Sequence, residues 1–356
     1  MEFVTVAEWL QYRQIILYAF TAIGVTTILL QLMRKEVLKI NPIVAVVLAF
    51  ICIAFIGNYP DIIGQGNSDK YYYWIGANNV QQGLGHISDD DIGFFILTKI
   101  IVSILPIDWY FIVLSIIYVG GIFLFCWSLS KENFGLVFIA MILNFQFIGY
   151  GSNTIRAGLA SSFVLIGIAL RNKRVLSLIM LIVGVSIHRS WALPVICYGL
   201  ACWKDNTKLY LLFWILAIPL SAVLGNSLQS YALPLLGENK ADYLVKDAFT
   251  NVYRSGFRLD FLLYSGLPVA LGYYYIHKCK FKDYIYKRLY NMYLLANTCW
   301  IFVIRADFSD RFAYLSWFIY SVLLIYPIIK KTCVVKKPTS WIALIILGLT
   351  IFNAYF

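Results

Sequence analysis

From one end of the chain to the other, apolar stretches of roughly 14 to 21 residues follow each other, separated by short polar segments. Few folds are open to such a chain. An α-helix satisfies its own backbone hydrogen bonds, so a bundle of apolar helices is what a bilayer accepts. Hydrophobic residues make up 61% of the 356 and charged residues 13%, at a mean hydropathy of +0.76. A soluble protein of this length has no core large enough to hide that much apolar surface. The expected fold is all-α, a polytopic integral membrane protein.

About twelve transmembrane helices are expected, near 14–33, 41–57, 109–129, 134–150, 154–171, 174–187, 190–203, 209–226, 259–276, 289–304, 311–329 and 340–355. The first is too long for a signal-peptide core and no small-residue cleavage site stands out, so it is expected to be retained. The stretches 174–187 and 190–203 are short, which tilt or a locally thinned bilayer accommodates. The reading is one integral membrane domain over 1–356, with extracytoplasmic loops at 58–108 and 227–258.

The net charge of +11 does not signal nucleic acid, because the basic residues sit in short runs between spans. Their distribution sets the topology. If the apolar segment Phe94–Leu105 lies in the interface or re-enters without crossing, one set of loops collects the lysines and arginines. These are Arg34, Lys35 and Lys39, Lys131, Arg171 to Arg174, Lys204 and Lys208, Lys278 to Arg288, and Lys330 to Lys337. The positive-inside rule makes that side cytoplasmic. Asp69, Asp91, Arg156, His188, Arg189, Arg254, Arg258, Arg305, Asp310 and Arg311 then all fall on the extracytoplasmic side.

Ionisable groups at the mouths of membrane helices are costly and usually have work to do. Arg156 lies in the first turn of the helix that Asn153-Thr154 begins. Its charge and the free N–H groups there favour an anion such as phosphate; the structural alternative is a salt bridge to a loop carboxylate. His188-Arg189 stands between two apolar stretches, and Arg305 and Arg311 flank a short loop with Asp310. In the loop 58–93, Ser68 or Asp69 is placed to cap a short helix carrying Tyr71 to Trp74, and Asp69 or Asp91 to act as a general base. Arg254 and Arg258, in the long loop 227–258, are read as lid contacts together with Arg305. The seven cysteines lie mostly in or beside apolar stretches without metal-site spacing, and His86 and His277 stand apart, so no metal site is expected.

Several of these segments together resemble the EpsG family of bacterial exopolysaccharide proteins, relatives of Wzy-type polymerases. The matching pieces are Asp69 with Tyr73, Asp91-Ile-Gly-Phe94, Asn153-Thr-Ile-Arg156-Ala-Gly-Leu-Ala160, His188 with Ser190, and Arg311-Phe-Ala-Tyr314. Ala157 stands where the family often has Gln, Asp91 where it often has Glu, and Trp191 where a smaller residue is usual. The resemblance implies a fold similar to GT-C-type membrane glycosyltransferases and a polymerase of lipid-linked oligosaccharide repeats, making O-antigen, capsule or exopolysaccharide. It implies donor and acceptor glycans on undecaprenyl diphosphate, the outer face of the bacterial cytoplasmic membrane, and no metal or other cofactor. A chain-length regulator and a flippase are the partners it suggests. In this picture Arg156, His188, Arg189 and Arg311 hold the diphosphate, Asp69 is the base and Asp91 its reserve. A flippase or transporter, an O-antigen ligase and an acyltransferase are the other classes considered. An acyltransferase favours a His-Asp pair, which His188 alone does not supply.

Overall fold

A computed structural model of the protein describes residues 3–62, 69–85, 91–232, 256–306, 309–330 and 335–355. The helices are α1 (Val6–Leu32), α2 (Pro42–Gly57), α3 (Asp69–Gln81), α4 (Ile92–Ile104), α5 (Tyr110–Leu129), α6 (Phe134–Ile142), α7 (Gln146–Ser152), α8 (Ile155–Ala169), α9 (Arg174–Ile187), α10 (Ala192–Trp203), α11 (Thr207–Ala232), α12 (Leu259–Tyr273), α13 (Tyr284–Phe302), α14 (Ser309–Trp317), α15 (Tyr320–Lys330) and α16 (Pro338–Tyr355). The all-α expectation holds apart from one two-residue parallel pair, β1 (Phe3–Val4) with β2 (Asp61–Ile62). The helices fall into two compact units, residues 1–192 with 328–356, and residues 193–327.

Among the described residues, three helical stretches are long and apolar enough to cross a membrane alone: Val6–Leu32, Ile107–Leu129 and Ser309–Lys330. The expected span 134–150 is broken. Its two parts, α6 and α7, are bent by 74° and make a fourth span only if counted together. The break falls at Asn144, a residue type that favours turns over helix interiors. Other apolar helices are shorter: α9, with 14 residues, reaches about 21 Å against the roughly 30 Å of a bilayer core. The first stretch starts at Val6 rather than 14, because Thr5 and Glu8 form a capping box (Glu8 N to Thr5 Oγ1, 3.3 Å; Thr5 N to Glu8 Oε2, 2.8 Å). Two expected loops are also partly helical. The region 58–108 holds α3 and α4, and α11 carries on to Ala232.

Burial in the first unit runs in stripes. α1 buries Ile16, Phe20, Gly24, Thr27 and Gln31, at steps of three and four, and packs on α16. Its other faces expose Ile15, Val25, Leu29 and Leu32. Apolar residues pointing both inward and outward suit lipid, not water. α6 differs, since every residue from Phe134 to Ile142 is buried, which makes it the centre of its bundle. Around it α5 packs on α2 and α8, and α8 packs on α9.

The second unit is cored by tyrosines on α13 that donate to backbone carbonyls. Tyr290 reaches Val269 O at 2.8 Å and Tyr293 reaches Ser265 O at 2.9 Å. Tyr286 bonds Leu323 O at 2.9 Å. Pro327, four residues on, has no N–H for that carbonyl, so the phenol supplies the missing donor. Ser265 Oγ accepts from Trp317 Nε1 at 2.7 Å and Asn297 Nδ2 at 3.1 Å, while Asn297 Oδ1 accepts from Trp214 Nε1 at 2.8 Å. These buried groups are paired as a low-dielectric interior demands.

Candidate functional site

α8 begins at Ile155, and Thr154 does not cap it; its hydroxyl turns back to Gly149 O at 3.2 Å. Arg156 therefore sits in the first turn, as expected. Two residues on, a Cβ at Gly158 would collide with the Tyr150 carbonyl oxygen and lie 2.9 Å from its carbon. Only glycine lets α7 and α8 approach so closely.

The guanidinium of Arg156 is held on two sides. Nε donates to the Tyr73 hydroxyl at 3.2 Å, and Nη1 donates to Asp91 Oδ2 at 2.6 Å. Tyr73 comes from α3, and its ring packs edge-on to Phe94 of α4 at 5.4 Å. Among the described residues nothing engages Nη2, and the side chain is 38% exposed. The salt bridge expected as the structural alternative is thus present. Arg156 enters the site as half of an ion pair, and what it offers an incoming anion is its third nitrogen.

Asp91 occupies the N-cap position of α4, where an aspartate ordinarily accepts from its own helix. Here it makes no side-chain cap bond. Its Oδ2 meets Arg156 and lies 3.5 Å from His188 Nδ1, and its Oδ1 accepts from Arg189 N at 3.3 Å. Burial pushes this carboxyl up, but His188, Arg156 and the Arg189 amide together hold it below the ordinary carboxylate value.

α9 ends at Ile187, and His188 has extended backbone (φ −153°, ψ 111°) before a single 3-10 turn, Arg189–Trp191. That break swings the imidazole and the Arg189 amide toward Asp91. The approach of α4 to α9 depends on Gly93, where a Cβ would lie 2.7 Å from the Ser186 carbonyl carbon and 2.9 Å from Ile187 N. Asp91, Arg156, His188 and the backbone of Arg189 are therefore brought together by α4, α8 and the end of α9. Asp69 joins by charge alone, acting on Tyr73 and Arg156.

The remaining expected site residues lie in the second unit. Arg258 makes a two-pronged pair with Asp260 (3.0 and 2.7 Å) and stacks on Phe261 at 3.6 Å. Arg305 Nη2 donates to Ala222 O at 3.0 Å. Arg311, in the first turn of α14, acts on Tyr314 together with Asp310 and Arg258. Arg254, like His86, lies outside the described residues.

The sequence profile of the EpsG family matches residues 46–356. The chain belongs to the EpsG family. No curated protein and no solved structure matches it. The matched region of this EpsG-family protein takes in both clusters and leaves α1 outside. Membership and the apolar helices together make it a membrane protein of the polysaccharide-related kind.

Sequence reasoning missed Lys70, one residue into α3. It is 4% exposed; its Nζ donates to Tyr59 O and lies 4.4 Å from the centroid of the Phe111 ring. Tyr59 in turn packs edge-on to Trp9 (6.4 Å) and Tyr12 (5.5 Å) of α1. The EpsG-family protein thus pegs α3 to α1 and α5 one turn before Tyr73. The only sequence signal was a lysine entering an aromatic run. Burial drives the amine down to about 7, with Asp61 opposing. The folded state then holds fewer protons than the unfolded chain between about pH 7 and the ordinary 10.5. Stability should rise with pH across that window. Thermal unfolding in detergent at stepped pH checks this, and Lys70→Met is expected to flatten the rise. A rise of unchanged size in that variant means another group is responsible.

Proposed function

We propose that the protein joins undecaprenyl-diphosphate-linked oligosaccharide repeats into a longer glycan at the outer face of the bacterial cytoplasmic membrane. The donor is a growing glycan on its lipid diphosphate, and the acceptor is a single repeat attacking through a sugar hydroxyl. In this reading the chain is one GT-C-like integral membrane domain of about twelve spans, with α4 not crossing, both clusters outside, and a flippase and chain-length regulator as partners. The observation that carries it is Arg156: a guanidinium braced by Tyr73 and Asp91 at a helix mouth, with Nη2 unengaged among the described residues and so available to an anionic leaving group. Arg189 and Arg311 are assigned to the same diphosphate, and Arg254, Arg258 and Arg305 to the closing loop. A side chain of the Asp69–Asp91–His188 group takes the hydroxyl's proton.

One observation favours a second reading. Asp91 and His188 form the carboxylate–imidazole pair that an O-acyltransferase uses to activate a hydroxyl. Reconstitution separates the readings. Purified protein in liposomes with lipid-linked repeats should give a ladder of lengths on a gel. A single addition to a core indicates a ligase, movement of the lipid without a new bond indicates a flippase, and label transfer only from an acyl donor indicates an acyltransferase. Sidedness has its own test. A cysteine at Tyr72, which is 55% exposed on α3, should react in intact spheroplasts with a membrane-impermeant maleimide. Labelling only after lysis would invert the topology.

A further inference from the structure

The Asp91 side chain is 8% exposed and both of its oxygens are engaged, Oδ2 by Arg156 and His188, Oδ1 by the Arg189 amide. A carboxylate buried in this way and held against a cation is largely hidden from a substrate hydroxyl and is weakly basic. Asp69 has the opposite shortcoming. Among the described residues no hydrogen bond fixes its carboxylate, and it reaches Tyr73 and Arg156 only by charge. His188 is both oriented and open. Its Nδ1 is turned to Asp91 at 3.5 Å, its Nε2 has no hydrogen-bond partner among the described residues, and its side chain is 23% exposed. Hydrogen bonds of this kind commonly shorten when a substrate binds. When a carboxylate accepts from Nδ1–H, the imidazole lone pair stands on Nε2.

We propose that His188 takes the acceptor hydroxyl's proton on Nε2, with Asp91 as the positioning residue that fixes its tautomer and Arg156 Nη2 facing the departing diphosphate. The inference rests on the glycosyl-transfer reading and names the base within it. The hydroxyl O–H bond breaks and its proton passes to Nε2. The oxygen's electron pair forms the bond to the donor's anomeric carbon. The bond from that carbon to the diphosphate oxygen breaks, and its pair leaves with the diphosphate, where the guanidinium meets the growing charge. Asp91 holds the imidazolium until water carries the proton away. Asp91 is then neither the base nor its reserve, but the group that links the base to the cation.

Two measurements test this. In proteoliposomes with lipid-linked repeats, His188→Gln is expected to lower kcat for chain extension by about 10²- to 10⁴-fold with KM little changed. If the unaltered protein makes no ladder, the glycosyl-transfer reading itself falls. If it makes one and His188→Gln keeps its kcat, the base is elsewhere, and Asp69→Asn shows whether it is Asp69. The second measurement needs no turnover. The chain has 3 histidines, so a His86→Gln/His277→Gln background isolates His188 for ring ¹⁵N NMR. The Nδ1–H tautomer is expected, changing to the Nε2–H form that free imidazoles prefer when Asp91→Asn is added. An Nε2–H tautomer with Asp91 in place overturns the proposal, even if His188→Gln does not fold.

Discussion

Arg156→Ala should stop chain extension, with a fall of about 10²- to 10³-fold or more in the rate of ladder growth. The guanidinium has two partners in the geometry, Nε on Tyr73 and Nη1 on Asp91, and the proposed function gives Nη2 a third, the substrate's diphosphate. Arg156→Lys is expected to fail almost as badly. An ammonium keeps the charge but has no planar fork with which to hold two partners and present a third donor. The lysine variant also answers the folding objection. Arg156→Ala leaves Asp91, whose side chain is 8% exposed, without its cation, and breaking a buried pair from one side is costly. A charge-preserving change softens that penalty, so a folded, monodisperse Arg156→Lys protein that lays down no polymer isolates the chemical role. Full-length polymer from both variants would mean the diphosphate is held somewhere else.

Gly93→Ala is the second large effect, and it removes no functional group. The added methyl meets backbone of α9 at Ser186 and Ile187, neither of which can rotate away. α4 must retreat, taking Asp91 with it. The contacts of Asp91 with His188 Nδ1 and Arg189 N, at 3.5 and 3.3 Å, have no slack for that movement. A displacement of about 1 Å commonly costs on the order of 10²-fold in rate, and that loss is expected here in the liposome assay. Ile92→Ala trims an exposed neighbour and is the control expected to keep the normal rate. If Gly93→Ala works as well as this control, α4 and α9 do not set the geometry of the cluster.

Much of this arrangement could be read from the sequence. Arg156, Asp91 and His188 stood out because a charge at the edge of an apolar run is conspicuous in a chain that must face lipid. Helix α9 was placed to the residue, since Arg174 and His188 bound a clean apolar run. Other features were hidden for identifiable reasons. The break at Asn144 is marked only by Asn144 and Gln146 in an otherwise apolar run, and apolar character alone does not report backbone direction. Lys70 was overlooked, because burial of an amine depends on Tyr59 and Phe111, which lie 11 and 41 positions away in the sequence. The Asp91–His188 pair joins positions 97 residues apart, a distance over which pattern carries no information. What Gly93 and Gly158 do needs the neighbouring backbone in view.

The sideways use of the Asp91 carboxylate has a consequence for biogenesis. The helix it precedes begins without the side-chain cap that usually contributes about 1 kcal/mol. Its start is secured instead by groups 65 and 97 residues further along the chain. At about 5 to 20 residues per second of translation, those groups emerge several seconds to roughly 20 seconds later. During that interval the segment waits unanchored beside the insertion machinery, and the geometry of the cluster is settled only once the nascent polypeptide has grown past Arg189.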